Sequence, residues 1–219
     1  MKLKKILLEY ENIIFDCDGV ILDSNKIKTD TFIKLFENYP KNKINQFVDY
    51  HKKYGGVSRY KKISYFFNSL LNQDISEKDL ELLAKEYSKI SLNELKKSNF
   101  IPGLLNLLIY LKNNNKKLFV VSGSDEKDLI KILKYKKINK YFEKIKGSPK
   151  NKNDNLIDLL QEPKDRKNSI YIGDSKYDYI TSRNLGLKFI FISGYSEWKV
   201  TKKYLIKNKI FYSKNFIHH

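Results

Sequence analysis

The 219-residue sequence predicts an α/β fold: a parallel sheet with helices on both faces, interrupted after its first strand by an inserted α-helical domain. Three observations predict it. Short runs of β-branched and aromatic residues alternate with stretches of helical length. Three of those runs end in an acidic or hydroxyl residue. One long interval, from about residue 25 to residue 99, keeps helical periodicity and has no convincing strand.

In chain order, Asn12 to Phe15 is the first strand. The interval that follows carries candidate helices near Lys26 to Asn38, Lys43 to Lys53, Arg59 to Leu71 and Glu77 to Lys96. Ser76 suits the N-cap of the last, because its hydroxyl can accept from a backbone amide that the first turn leaves free. Alternation then resumes. A helix spans Leu104 to Lys112, with Pro102 at its first turn, where a missing N–H costs little. The strand Lys117 to Val121, the helix Glu126 to Tyr135, a weaker strand Phe142 to Ile145 and the helix Asn155 to Gln161 follow. The strand Ser169 to Ile172, the helix Lys176 to Asn184 stopped by Gly186, and the strand Lys188 to Ile192 complete the pattern. The expected division is therefore core 1–24, helical insertion 25–97 and core 98–219.

Composition bounds the function. A hydrophobic content of 41% and an aromatic content of 14% suffice for a packed core and argue against disorder. Glu9, Glu11 and Asn12 break the apolar start before a signal-peptide core can form, and no run approaches a membrane span. The single cysteine, Cys17, cannot form an intrachain disulfide, so a reducing, cytoplasmic location is expected. A net charge of +18 would attract nucleic acid. However, lysine is spread through nearly every segment and arginine occurs only at Arg59, Arg166 and Arg183, so nucleic acid is not the expected partner. The closing pair His218 and His219 is assigned no function.

The strand ends carry the chemistry. Ligands of an open parallel sheet sit beyond the carboxyl ends of its strands, which would bring Asp16, Asp18, Ser122 and Asp174 together. Asp16 and Asp18 leave a buried strand two residues apart, with Gly19 allowing the turn. One carboxylate can attack phosphorus while the other handles the proton. Taken alone, the segment also reads as an ordinary acidic turn.

The segment Phe15-Asp16-Cys17-Asp18-Gly19-Val20-Ile21-Leu22-Asp23-Ser24 resembles the first motif of the haloacid dehalogenase superfamily of phosphatases and mutases. Leu118-Phe119-Val120-Val121-Ser122-Gly123-Ser124 is similar to the second, Gly147-Ser148-Pro149-Lys150-Asn151-Lys152 to the third, and Ile172-Gly173-Asp174-Ser175-Lys176-Tyr177-Asp178 to the fourth. The resemblance implies a Rossmann-like core with Asp16 as nucleophile and Asp18 as general acid and base. It further implies a phosphate site of Ser122, Gly123 and Lys152, with Lys150 as a competitor for the lysine. The implied cofactor is Mg2+, held by the Asp16 and Asp174 carboxylates and the Asp18 backbone carbonyl, with Asp178 acting indirectly or through water.

The insertion lies where the superfamily carries a helical cap. Within it, Gly55-Gly56-Val57-Ser58-Arg59 looks like a specificity loop, so Gly56, Ser58 and Arg59 are expected to contact substrate. Ser58 equally suits a helix N-cap with Arg59 solvated. Two departures stand out: Cys17 replaces a bulkier apolar residue, and Lys28 stands where related mutases carry histidine. The expectation is a phosphatase of a small phosphorylated metabolite (a sugar, polyol or amino-alcohol phosphate) with a phosphosugar mutase as the alternative. A nucleic-acid end phosphatase comes third. A phospho-receiver module would be shorter and would lack both the paired aspartates and the insertion.

Overall fold

The computed structural model describes residues 2–217; Met1 and the pair His218 and His219 lie outside the described residues. Six strands form one parallel sheet: β1 (Asn12–Phe15), β2 (Lys117–Asp125), β3 (Lys144–Ser148), β4 (Ser169–Gly173), β5 (Lys188–Ile192) and β6 (Phe211–Ser213). Their order is β3-β2-β1-β4-β5-β6. β1 thus lies between β2 and β4, the two strands whose ends carry the other sequence motifs.

Side-chain alternation explains the layers. Ile13, Phe15, Leu118, Val120, Ile170 and Ile172 face one apolar cluster, which α1 (Lys2–Leu8) joins through Leu3 and Leu7. Ile14, Phe119, Val121 and Tyr171 face the other. The strands are buried on both faces, as their near-continuous apolar runs require.

Four helices occupy the insertion: α2 (Asn25–Leu35), α3 (Lys41–Lys53), α4 (Arg59–Tyr65) and α5 (Glu77–Leu95). They build a separate, aromatic cluster around Phe32, Phe36, Phe47 and Phe66. The expected helix Arg59 to Leu71 is divided, because Phe66–Leu71 is a π-helix ending at Asn72 in the left-handed region. The wider turn sets the Phe66 ring flat on Phe36, with centroids 3.8 Å apart. Ser76 caps α5 by accepting from the Asp79 amide at 3.1 Å.

The second half of the chain adds α6 (Leu104–Asn113), α7 (Glu126–Tyr135), α8 (Lys152–Leu159), α9 (Pro163–Lys167), α10 (Lys176–Asn184) and α11 (Lys202–Lys207). Four elements were not anticipated: α1, α9, α11 and β6. They are too short for a periodic pattern to rise above chance. Three expectations shift. Pro102 precedes the cap of α6 rather than opening the helix; Gly103 holds that position at φ +86°, where a Cβ would meet the Phe216 backbone at 2.5 Å. The third strand begins at Lys144, because Phe142 turns inward and meets Phe15 edge to face. α8 begins at Lys152, three residues before the expected start, since Asn151 caps it by accepting from the Asp154 amide. That last shift matters to the site.

Candidate active site

Register brings the motifs level. Phe15 pairs with Val120 on one side and Ile172 on the other, so Asp16, Ser122 and Asp174 leave the sheet at adjacent strand ends. Asp16 is 2% exposed, and Asp174 and Asp178 are likewise buried. Carboxylate oxygens of these three residues lie within 4.8 Å of one another.

One cation of the chain sits among them. Lys152 Nζ lies 2.9 Å from Asp16 Oδ2 and 2.5 Å from Asp178 Oδ1. Because it opens α8, its side chain reaches back under the β-sheet end and is 1% exposed. Lys150 instead pairs with Asp158 on the surface and takes no part. Burial raises the Asp16 carboxyl to about 7; Lys152 opposes the rise, while Asp178 and Asp18 add to it. Asp174 is also pushed well upward, first by burial and then by Asp178 and Asp16.

Asp178 is fully engaged. Oδ1 accepts from Lys152 and from the Tyr171 hydroxyl at 3.3 Å. Oδ2 accepts from the Ser175 hydroxyl at 2.6 Å and amide at 2.9 Å, and from the Asp174 amide at 3.3 Å. Ser175 returns the contact by accepting from the Asp178 amide, completing a capping box on α10. Asp178 therefore positions Lys152 and the Asp174 loop, and has little capacity left for a metal.

Asp18 faces elsewhere. Its Oδ1 accepts from the Ser24 hydroxyl at 2.6 Å, its Oδ2 accepts from the Ser124 hydroxyl at 2.7 Å, and Lys28 Nζ lies 3.6 Å away. Burial would raise its pKa, but Lys28 and the two hydroxyls outweigh burial and the net shift is downward. The Asp18 carboxylate is thus engaged by Ser24, Ser124 and Lys28 and stands outside the Asp16, Asp174 and Asp178 cluster.

The donor set fits a hard divalent cation. Of the three buried carboxylates, Asp16 and Asp174 keep oxygen capacity for a ligand, and hard oxygen donors are what magnesium selects. Asp174 is the freest donor, with Oδ2 accepting only from Asn25 Nδ2 at 2.7 Å. Gly19, at φ +75°, keeps this corner open, since a Cβ there would sit 2.3 Å from Asp174 Oδ2.

The insertion closes over this floor. Gly56 and Gly123 make backbone contact so close that a Cβ on Gly123 would lie 2.0 Å from the Gly56 carbonyl oxygen. A Cβ on Gly56 would come within 3.1 Å of both Lys152 Nζ and Ser175 Oγ. Between the two parts lies a cleft of about 80 Å³ lined by Asp16, Asp18, Ser122, Arg59 and Trp198, among others.

The loop residues do not all meet the cleft. Arg59 lines it, with its guanidinium bonded to Asp125 at 3.1 Å and Asp128 at 2.6 Å, which ties α4 to the start of α7. Two nearby carboxylates balance the charge of the buried cation, while Arg59 Nε is buried without a hydrogen-bond partner. Ser58 caps α4, accepting from the Lys61 amide at 3.5 Å, and does not line the cleft. Gly56 does line it, through backbone. Sequence reasoning missed Asn25, Ser124, Asp125, Asp128, His51 and Lys62. Only Asp125 carried a local signal, as an acid just before a helical stretch.

Comparison with known proteins bears on the family and the fold. A family model described as haloacid dehalogenase-like hydrolase matches residues 13–192. A phosphorylated carbohydrates phosphatase of Thermotoga maritima is 25% identical over 133 residues, 61% of this chain and 59% of that protein. Phosphoglycolate phosphatase 1 of Pseudomonas aeruginosa is 23% identical over 190 residues, 80% of this chain and 66% of that protein. This chain thus matches somewhat under two thirds of the length of either relative. The crystal structure of CbbY from Rhodobacter sphaeroides in complex with phosphate superimposes with a TM-score of 0.71 at 15% identity, covering 94% of this chain and 95% of that one. Sequence motifs, sheet order and the family match over most of the chain converge: this protein is an enzyme and belongs to the haloacid dehalogenase-like hydrolase family.

Proposed function

We propose that the chain is a magnesium-dependent phosphatase that hydrolyses a small phosphorylated metabolite through a phosphoryl group carried on Asp16. The observation that carries this reading is the buried Asp16 carboxylate, held 2.9 Å from Lys152 and lining the cleft between the core and the insertion. A carboxylate so placed is a nucleophile with its own counter-cation.

In the first half-reaction an Asp16 oxygen bonds to phosphorus and the ester P–O bond breaks. Asp18 gives the departing alkoxide its proton. In the second, Asp18 takes a proton from water, whose oxygen bonds to phosphorus as the Asp16–phosphorus bond breaks. Serving both halves requires one group near both oxygens. Lys28 keeps Asp18 ionised at rest, and an arriving phosphate dianion raises its proton affinity through like-charge repulsion. Ser122 and the Gly123 amide would hold phosphate oxygens, and Lys152 would balance their charge. A magnesium ion held by Asp16, Asp174 and the Asp18 carbonyl would draw the nucleophile and the phosphate together against their mutual repulsion.

The helical insertion acts in this reading as a cap whose Gly55–Gly56 loop seals the cleft from water. A cleft of about 80 Å³ suits a small ester and disfavours nucleic-acid ends. The relatives' names, a phosphatase of phosphorylated carbohydrates and one of phosphoglycolate, fall in the same size class.

The test is phosphate release from a panel of small esters, with and without magnesium, in the native chain and Asp16→Asn. Magnesium-dependent release that vanishes in the variant is expected. Turnover that appears only with a sugar bisphosphate activator would instead mark a mutase, and equal activity in Asp16→Asn would sink the mechanism.

A further inference from the structure

The roof of the cleft holds a charged group that the proposed chemistry does not use. Lys62, on α4, is 3% exposed and lines the cleft together with Asp16 and Asp18. Its Nζ lies 2.8 Å from His51 Nδ1 and 3.4 Å from the His51 carbonyl oxygen. Burial and the neighbouring Lys62, Lys28 and Lys52 hold His51 well below the usual histidine range, so its ring is neutral and Nδ1 accepts from the lysine. That uses two hydrogens of the ammonium. Among the described residues, no carboxylate pairs with Lys62 at ion-pair distance.

The surroundings were searched for a compensating charge. Lys28 faces the pair from α2 and Lys52 from α3, both of the same sign. Asp18 is already bonded to Ser24 and Ser124 and faces Lys28, and Lys152 belongs to Asp16 and Asp178. Arg59, on the same helix, is neutralised by Asp125 and Asp128. Glu197, in the segment after β5, also acts on Lys62, from beyond pairing distance. A buried lysine without a paired carboxylate costs free energy, and a ligand that brings the anion recovers it.

We propose that Lys62, steadied by His51, is the subsite for a carboxylate carried by the substrate, so that the substrate class is a phosphorylated hydroxy acid. This rests on the phosphatase reading above and deepens it. A carboxylate is favoured over a second phosphate because His51 takes two of the three ammonium hydrogens, leaving one, with a single positive charge, for the ligand. The same geometry gives the binding a pH dependence. Burial lowers the free Lys62 ammonium to about 7, with Glu197 and Asp18 opposing and Lys28 and Lys152 reinforcing the shift. An anion binds the protonated form, so affinity is greatest below that value and falls as pH rises through it.

Two probes of equal size separate charge from shape: 2-phosphoglycolate and its neutral amide, 2-phosphoglycolamide. The native enzyme should prefer the acid in kcat/KM by about tenfold or more at pH 6.5, and the preference should shrink by roughly tenfold per pH unit above pH 7.5. Lys62→Met should reduce the preference at least tenfold at low pH. Lys62→Arg, charged at every pH, should restore a preference that no longer varies with pH. Calorimetry on Asp16→Asn in buffers of different ionisation enthalpy adds a readout without turnover. Binding of 2-phosphoglycolate should take up a proton in that variant and none when Lys62→Met is added. Equal kcat/KM for acid and amide in the native enzyme, or an unchanged preference in Lys62→Met, would overturn the subsite while leaving the phosphatase standing. Release from neither probe nor any other ester, with binding and proton uptake intact in Asp16→Asn, would overturn the phosphatase and keep the subsite. Absence of both would remove the two together.

Discussion

The two walls of the cleft treat charge differently. On the core wall Asp16, Asp18, Asp174, Asp178 and Lys152 each have at least one bonded partner, and Asp178 serves Lys152, Tyr171, Ser175 and Asp174 at once. On the roof, Arg59 ties the insertion to α7, and among the described residues Lys62 is bonded to His51 and to no carboxylate. The contrast separates two tasks. Groups that break bonds must be fixed to a fraction of an ångström, and dense hydrogen bonding fixes them. Groups that choose a substrate gain from being incomplete until it arrives.

The largest expected break in this comparison is Asp16→Asn on the core wall. Loss of the nucleophile should lower kcat by about 10³-fold or more on every ester, acid or neutral, as measured by phosphate release. Next is Gly123→Ala at the seam between the walls. Its methyl would meet the Gly56 carbonyl at 2.0 Å, so the loop cannot seat; kcat/KM should fall about 10²-fold for all esters while the thermal midpoint barely moves. A loss confined to large esters would instead mean that the loop reads substrate size and does not complete closure.

Arg59→Ala comes third. It strands Asp125 and Asp128 without their cation and should destabilise the fold by about 3 kcal/mol, read by denaturant titration. Its kinetic effect should be equal on a small artificial ester and on larger metabolites. Selective loss on the metabolite would return Arg59 to substrate recognition, as its sequence context first suggested. The smallest effect belongs to Ser76→Ala at the head of α5, far from the cleft. Loss of its bond to the Asp79 amide should cost about 1 kcal/mol and leave kcat/KM unchanged. A kinetic effect there would show that the aromatic cluster of the insertion transmits its stability to the site.

The two hydrophobic clusters differ in how openly the sequence displayed them. β1, β2, β4 and β5 were legible because a strand buried on both faces is a continuous apolar run, and each run was bounded by polar residues. α7 and α10 were legible for the same local reason. The insertion's helices were found, but the π-helical turn at Phe66–Leu71 was not, since it follows from the stacking of Phe66 on Phe36, thirty positions earlier in the chain.

By itself the sequence determined the four inner strands β1, β2, β4 and β5, a helical stretch between β1 and β2, and the placing of Asp16, Ser122 and Asp174 at strand ends. Each depends on residues within a short window or on strand polarity alone. Only the tertiary structure decided that Lys152 and not Lys150 meets Asp16, that Arg59 is paired with Asp125 and Asp128, that Asp18 answers to Ser24, Ser124 and Lys28, and that Lys62 has no paired carboxylate among the described residues. These are pairings between side chains distant in sequence. A lysine is the same residue in every local pattern, and which charge it meets is set by the packing of whole elements against one another.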